Sequence, residues 1–464
     1  MAPIESTGRT SAAGGAPTGR RNAAHEAIDR HAVGPSQDRP ALLWEGRNGE
    51  LETYTYGELK DLTDRFANLL GSLGMGHGDR TALMMDRIPE LHVSIMGALK
   101  AGAVAVPIYP ALDSISAKAL LAETGARVLI TQPQHRFRVD DWVPELFDLD
   151  HIIVVNKDAR DNYPLRPGDL SYEDEMSKAS STYSATTTDP GASLLHYTSG
   201  TTGPPKAIPF RHYAMTQLAD TGKWCLDIGP ADLVWCTADP GWPLGTCYGM
   251  LAPWALGATV FLREGPFDPG GWYRSIQDRG VTVIYTAPTA IHQFMNSGTD
   301  MAHAYDLSTL RVAASVGDVL EPEAVAWGRD AFGVPVRDTW WQIETGAILI
   351  ANDARTDPRP GSIGRPAPDI EVAVLDDNGR ELGPGVTGRL AIGRGWPAMF
   401  SAYWSETERY EARFEDGWYI SGDLASKDED GYLWFRGRAQ EAVPTPIEPR
   451  RTADNRLHRL ELRR

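Results

Sequence analysis

Cysteine is scarce: Cys225, Cys236 and Cys247 are the only three in 464 residues. Their odd number and the lack of a Cys-x-x-Cys spacing exclude a disulfide framework and a thiolate zinc site, and fit a reducing compartment, the cytoplasm. Long apolar runs are lacking too. None reaches the length that crosses a bilayer, and the N-terminus has no signal-peptide apolar core, so no membrane partner is expected. Basic charge is in deficit, with 45 Lys and Arg against 62 Asp and Glu and a formal charge of −17. Such a surface repels nucleic acid and leaves small molecules as the expected partners. What is present in quantity is apolar material, 42% of residues, enough to bury a large core in more than one folding unit. Oligomeric state is not fixed by these features.

Residues 1–21 are mainly Ala, Gly, Ser and Thr with Arg9, Arg20 and Arg21, and are expected to be a disordered tail. Glu5 and the absence of an amphipathic pattern argue against a transit peptide. From Asn22 the texture is globular. Thr55 and Glu58 have capping-box spacing, and Leu59, Leu62, Phe66, Leu69 and Leu73 recur at helical intervals up to Gly74. Strands are expected over 81–85, 103–108 and 127–131, with helices over 88–100 and 114–123 between them. The alternation resumes with strands over 233–236, 259–262, 281–285 and 310–316. Repeated βα units of this kind imply an α/β fold of parallel sheets covered by helices. After about Asp369 short strands at 371–375, 388–392, 418–420 and 432–435, separated by Asp- and Gly-rich turns, predict a small antiparallel subdomain.

The stretch richest in chemistry is Tyr197-Thr-Ser-Gly-Thr-Thr-Gly-Pro-Pro-Lys-Ala207, which follows the apolar run Ala192 to His196. A buried strand running into a loop of Gly, Ser and Thr, with a helix resuming near Tyr213, reads as a phosphate cradle. Thr198, Ser199, Gly200, Thr201, Thr202 and Gly203 supply hydroxyls and approachable backbone N–H groups, and Lys206 supplies positive charge. A Walker A loop is excluded, because only two residues separate Gly200 from Gly203 and Ala207, not Ser or Thr, follows the lysine. Further on, Asp338-Thr-Trp-Trp-Gln-Ile-Glu344-Thr-Gly346 follows a strand-like Val334 to Val336 and sets a carboxylate in an aromatic stretch. By residue type alone it reads first as a packed core segment with a satisfied acid.

Together these stretches resemble the signatures of the AMP-forming acyl-CoA synthetases, the adenylate-forming ligases, in the Trp-Trp form of the acetate–CoA ligases. The resemblance runs from about Asn22 through Arg438. It implies the family's large N-terminal domain over 22–438, two helix-flanked sheets plus a small antiparallel β subdomain at about 369–438. The implied substrates are ATP with Mg²⁺, CoA and a short-chain carboxylate. Lys206 and Glu344 would be catalytic, Glu344 as the Mg²⁺ ligand, a role suited to a hard carboxylate oxygen. Gly317 and Asp318 would face adenine, followed by Asp338, Thr339, Trp340, Trp341 and Gln342 along the nucleotide. Asp423 would accept both ribose hydroxyls, with Arg438 beside it. Pro243, Leu244, Val316 and Trp341 would wall the acyl pocket. An indole at Trp341 fills the tunnel that a glycine leaves open in relatives taking long acids, which implies a small acyl group and disfavours an adenylation domain serving a carrier protein. Acetate-specific relatives usually have Val-Thr at Pro243-Leu244, so the resemblance implies a short acid rather than acetate alone.

Departures from the pattern bear on activity. Ile343 stands where the family has a threonine facing the α-phosphate, a contact worth about 2 to 4 kcal/mol of transition-state stabilisation. Ala207 replaces a glycine, Asp318 a glutamate and Gln440 the hinge aspartate. After Glu441 nothing resembles the family's C-terminal domain, which implies a non-homologous tail over 439–464, as a shifted reading frame or degraded gene would leave, or a partner chain supplying that domain. Two expectations therefore stand: an acyl-CoA synthetase with impaired activity, or a non-catalytic remnant that binds nucleotide or acyl-adenylate.

Overall fold

A computed structural model describes residues 22–157, 164–185, 191–197, 206–400, 402–404 and 410–439. The expected disordered tail, the loop residues Thr198 to Gly203, Gln440 and the segment beyond it lie outside the described residues. The α/β fold is as the alternation implied. One sheet has nine strands in the order 365–366, 350–351, 336–340, 312–315, 283–286, 233–236, 259–263, 40–45, 51–55. A second has seven, ordered 169–171, 151–154, 128–131, 80–84, 104–107, 192–197, 207–211. A third, of 372–375, 388–393, 418–427, 414–415 and 433–438, is antiparallel throughout.

Strand periodicity explains how the large sheets are joined. Val234, Val283, Tyr285, Val312 and Ala314 point into one apolar cluster, while their chain neighbours Trp235, Ile284 and Ala313 point into another with the helices Pro269–Arg279 and Pro322–Ala331. In the seven-stranded sheet Leu83, Ala105, Val128 and Ile130 reach the same first cluster, and Ala82, Val104, Val106 and Leu129 reach a third. Each sheet is thus covered on both faces, and the two share a core. The helices Tyr56–Ser72 and Pro89–Ala101 pack together within it; a Cβ on Gly97 would stand 2.7 Å from Phe66 Cβ, so only glycine fits their crossing. The capping box is formed: Glu58 N donates to Thr55 Oγ1 at 3.2 Å and Thr55 N to Glu58 Oε2 at 2.8 Å. Among the described residues no helix is long and apolar enough to cross a membrane.

Three local features add to or correct the expectations. The helix expected near Tyr213 is present, but an unforeseen strand precedes it. Ala207–Arg211 is a strand antiparallel to Ala192–Tyr197, with Ile208 and Phe210 buried, and the helix Ala214–Leu226 follows. Pro209 is tolerated because this strand is the last in its sheet and one side needs no ladder bonds. Secondly, the strand expected at Val334 to Val336 is Val336–Trp340, which places Asp338, Thr339 and Trp340 inside a fully buried strand. Thirdly, the strand at Trp418 continues to Lys427, carrying Asp423 within it after a register shift opposite Arg389 to Ala391.

Candidate active site

Two motifs about eighty residues apart in sequence are tied to each other. Asp423 is 2% exposed, and its Oδ2 accepts hydrogen bonds from Trp340 Nε1 at 2.9 Å and Gln342 Nε2 at 3.1 Å. Gln342 Nε2 also donates to Ser421 O at 3.1 Å, and its Oε1 accepts from Tyr419 Oη at 2.9 Å. Arg438 Nη1 lies 2.7 Å from Asp423 Oδ1 as an ion pair without hydrogen-bond alignment. Burial raises the Asp423 pKa against the opposing pull of Arg438, Trp340 and Gln342. The expected ribose carboxylate thus stands at the junction of the nine-stranded sheet and the antiparallel subdomain.

One strand over, Ser315 pairs in register with Asp338. Val316, Gly317 and Asp318 continue from that strand, with Gly317 at φ +107° and both Gly317 and Asp318 exposed. Asp318 Oδ1 accepts from Val319 N at 2.8 Å, so part of this shorter acid is spent on its own loop. Asp338 is 6% exposed and accepts Thr339 N at 2.9 Å; burial pushes its carboxyl well above the usual range. The folded state therefore keeps this proton to higher pH than the unfolded chain, whose Asp titrates near ~3.9. Stability is fully present below that value and falls as pH rises through the folded pKa. Asp338→Asn, which cannot ionise, is expected to match the parent Tm near pH ~4 and exceed it increasingly toward pH ~8. A Tm difference that stays flat with pH contradicts this.

Glu344 sits in the turn after the Val336–Trp340 strand. Thr345 Oγ1 accepts Gln342 N at 3.0 Å and donates to Gln342 O at 2.9 Å. Gly346 closes the turn at φ +75°, where a Cβ would stand 2.2 Å from Ala398 O, so no side chain fits. The Glu344 side chain is half-buried, and Tyr403 Oη donates to its Oε1 at 3.4 Å. Phe400 N donates to Glu344 O at 2.8 Å, and Trp404 N to Ala207 O at 2.9 Å. Lys206 Nζ lies 5.3 Å from the Tyr403 ring centroid. The two expected catalytic residues, from separate stretches of the chain, therefore approach the same tyrosine. Tyr403 carried no mark in the sequence, since any tyrosine can be a core residue; its contacts single it out. Among the described residues no group of three or more His, Cys, Asp or Glu forms a cage for a metal. A single reachable carboxylate suits Mg²⁺ that arrives on nucleotide phosphates and keeps most of its ligands from there.

The expected acyl-pocket residues share one environment. Trp341, Leu244 and Ile343 are half-buried and pack against the shared core cluster that includes Val316; Pro243 is buried at the start of the short helix Pro243–Thr246. Thr339, expected along the nucleotide, turns its hydroxyl inward to Ser315 O at 2.8 Å, into the core.

A family model for AMP-binding enzymes matches residues 28–404. The chain belongs to the AMP-binding enzyme family. Among its curated relatives, an acetyl-coenzyme A synthetase of Bacillus subtilis is 42% identical over 434 residues, covering 93% of this chain and 75% of the relative. An acetyl-coenzyme A synthetase of Methanothrix thermoacetophila is 34% identical over 451 residues, covering 92% and 68%. Among solved structures, an acyl-CoA synthetase of Brucella canis aligns with a TM-score of 0.84 at 28% identity, covering 92% of this chain and 77% of that one. Lys206 and Glu344 meet at Tyr403, and Asp423 joins Arg438 to Trp340 and Gln342, four and two residues before Glu344.

Proposed function

We propose that this AMP-binding enzyme activates acetate or a close short-chain homologue with MgATP and passes the acyl group to CoA. In the first step a carboxylate oxygen attacks the α-phosphorus, the O–P bond forms, the bond to the β-phosphate oxygen breaks, and pyrophosphate leaves. In the second the CoA thiolate attacks the acyl carbon, the C–O bond to phosphate breaks, and AMP leaves. Lys206 and the Thr198 to Gly203 loop would hold the phosphates, and Glu344 the magnesium that comes with them. Asp423 and Arg438 would hold the ribose, and Gly317 and Asp318 would flank the adenine. Positive charge fixed where negative charge develops lowers the barrier of both steps. The observation that carries the choice of a short acid is the Trp341 indole, set against the same core cluster as Leu244 and Val316, supported by the names of the relatives. The buried cysteines suit a reducing cytoplasm.

The test is product analysis with MgATP, acetate and CoA. AMP and acetyl-CoA in equal amounts are expected; ADP, or nucleotide turnover independent of acetate, contradicts the proposal.

Ile343 favours a second reading, in which the chain binds nucleotide without turning it over. Its side chain packs on the core and offers no polar group beside Glu344. If it is the handicap the family pattern suggests, Ile343→Thr raises the adenylation rate about tenfold or more. An unchanged rate in acetate-dependent ATP–pyrophosphate exchange shows that the hydroxyl is not missed.

A further inference from the structure

The Trp341 indole is held by two tyrosines that are each 0% exposed. Trp341 Nε1 lies 3.3 Å from Tyr285 Oη, Tyr285 Oη lies 2.7 Å from Thr339 Oγ1, and Thr339 Oγ1 lies 2.8 Å from Ser315 O. An indole can only donate and a carbonyl can only accept, so the direction of every bond is fixed: Trp341 to Tyr285 to Thr339 to Ser315. A second relay runs beside it. Ile348 N donates to Tyr248 Oη at 2.7 Å, Tyr248 Oη lies 2.7 Å from Thr221 Oγ1, and Thr221 Oγ1 lies 2.7 Å from Gln217 O. The backbone N–H can only donate and the backbone carbonyl only accept, which fixes this direction too.

The rings complete the clamp. Tyr248 meets Tyr285 at 5.7 Å and 80°, and Trp341 at 5.6 Å and 67°, both edge-to-face. Tyr285 stands in the strand Val283–Thr286 within the nine-stranded sheet, flanked in register by Cys236 and Ala314, so its position is set by ladders on both sides. Tyr248 lies in the π-helical turn Cys247–Leu251 that directly continues the helix bearing Pro243 and Leu244. The elements that wall the acyl pocket also supply the residues that immobilise its end.

We propose that Tyr285 and Tyr248 set the acyl-chain limit by fixing the Trp341 indole, as specificity-determining positioning residues that act through it. This rests on the reading of Trp341 as the end of the acyl pocket. A wall rejects an extra methylene only if it cannot yield. Discrimination in an apolar pocket is worth about 10- to 200-fold per methylene when the fit is rigid, and an indole freed at its N–H gives up part of that.

The experiment measures kcat/KM for acetate, propionate and butyrate by ATP–pyrophosphate exchange in Tyr285→Phe and Tyr248→Phe, with Tm as a check on folding. Tyr273→Phe, a fully buried tyrosine in the other large core cluster, is the control. The butyrate-to-acetate ratio is expected to rise about threefold or more in both test variants, to stay unchanged in the control, and to be insensitive to Tyr285→Phe once Trp341→Gly is present. An unchanged ratio in Tyr285→Phe and Tyr248→Phe alongside a broadened one in Trp341→Gly overturns the inference and leaves the short-acid reading intact. If no variant activates a short acid, that reading fails by itself. The crystal structure of Tyr285→Phe then decides: an indole rotated or split between rotamers supports the clamp, and an unmoved indole overturns it.

Discussion

Glu344→Gln lowers acetate-dependent ATP–pyrophosphate exchange by about two to three orders of magnitude while the protein keeps its Tm. The reasoning starts from what Glu344 does not do. Its side chain is half-buried, and the bond it accepts from Tyr403 is long, 3.4 Å. Its backbone carries the structural load, through Phe400 N and the Gln342 to Gly346 turn. Glutamine preserves shape and backbone and removes only the charge, and a neutral amide is a poor ligand for a hard dication. The loss should deepen at low Mg²⁺ and shrink as Mg²⁺ is raised, a dependence that a folding defect does not produce. Exchange that is unchanged in Glu344→Gln removes this residue from the chemistry.

Trp341→Gly produces the second large effect, a change in which acid is used. Removing the indole deletes one of the largest apolar surfaces in the site, on the order of 150–250 Å². Acetate then binds in a space too large for it, and acids of five or six carbons gain a tunnel. The ratio of kcat/KM for hexanoate over acetate is expected to swing by about 10²-fold or more. A series of straight-chain acids in the exchange assay measures it. An unshifted preference means that Trp341 does not end the acyl pocket, and the short-acid argument goes with it.

The parts of this molecule that could be read from the chain are those fixed by neighbours in sequence. The capping box at Thr55 and Glu58 needs only a three-residue spacing, and the βα alternation needs only strand and helix periods. The strand Ala207–Arg211 escaped because Pro209 and the glycines before it mimic a loop, and only its place at a sheet edge makes proline harmless. The strand at Val336–Trp340 was expected two residues early, since Asp338 and Thr339 look like turn residues until a buried neighbour pairs with them. In the site, residue types were legible through family-like spacing, but their links were not. Asp423 meets Trp340 and Gln342 across more than eighty residues of chain, and Tyr285 meets Trp341 across more than fifty. Tyrosine hydroxyls at positions 248, 285, 403 and 419 bond to Ile348, Thr339, Glu344 and Gln342, within or beside the expected site segments. In sequence they are simply aromatic residues of a core, and only the fold shows that Tyr285 Oη meets the Trp341 indole, Tyr403 Oη the Glu344 carboxylate and Tyr419 Oη the Gln342 amide.

The account rests most directly on acyl-adenylate formation, and acetate-dependent ATP–pyrophosphate exchange by the purified chain with Mg²⁺ isolates that step. The prediction is exchange that requires both acetate and Mg²⁺ and is lost in Lys206→Ala. ATP binding detected by calorimetry with no acetate-dependent exchange would contradict it and leave a nucleotide-binding protein without ligase chemistry.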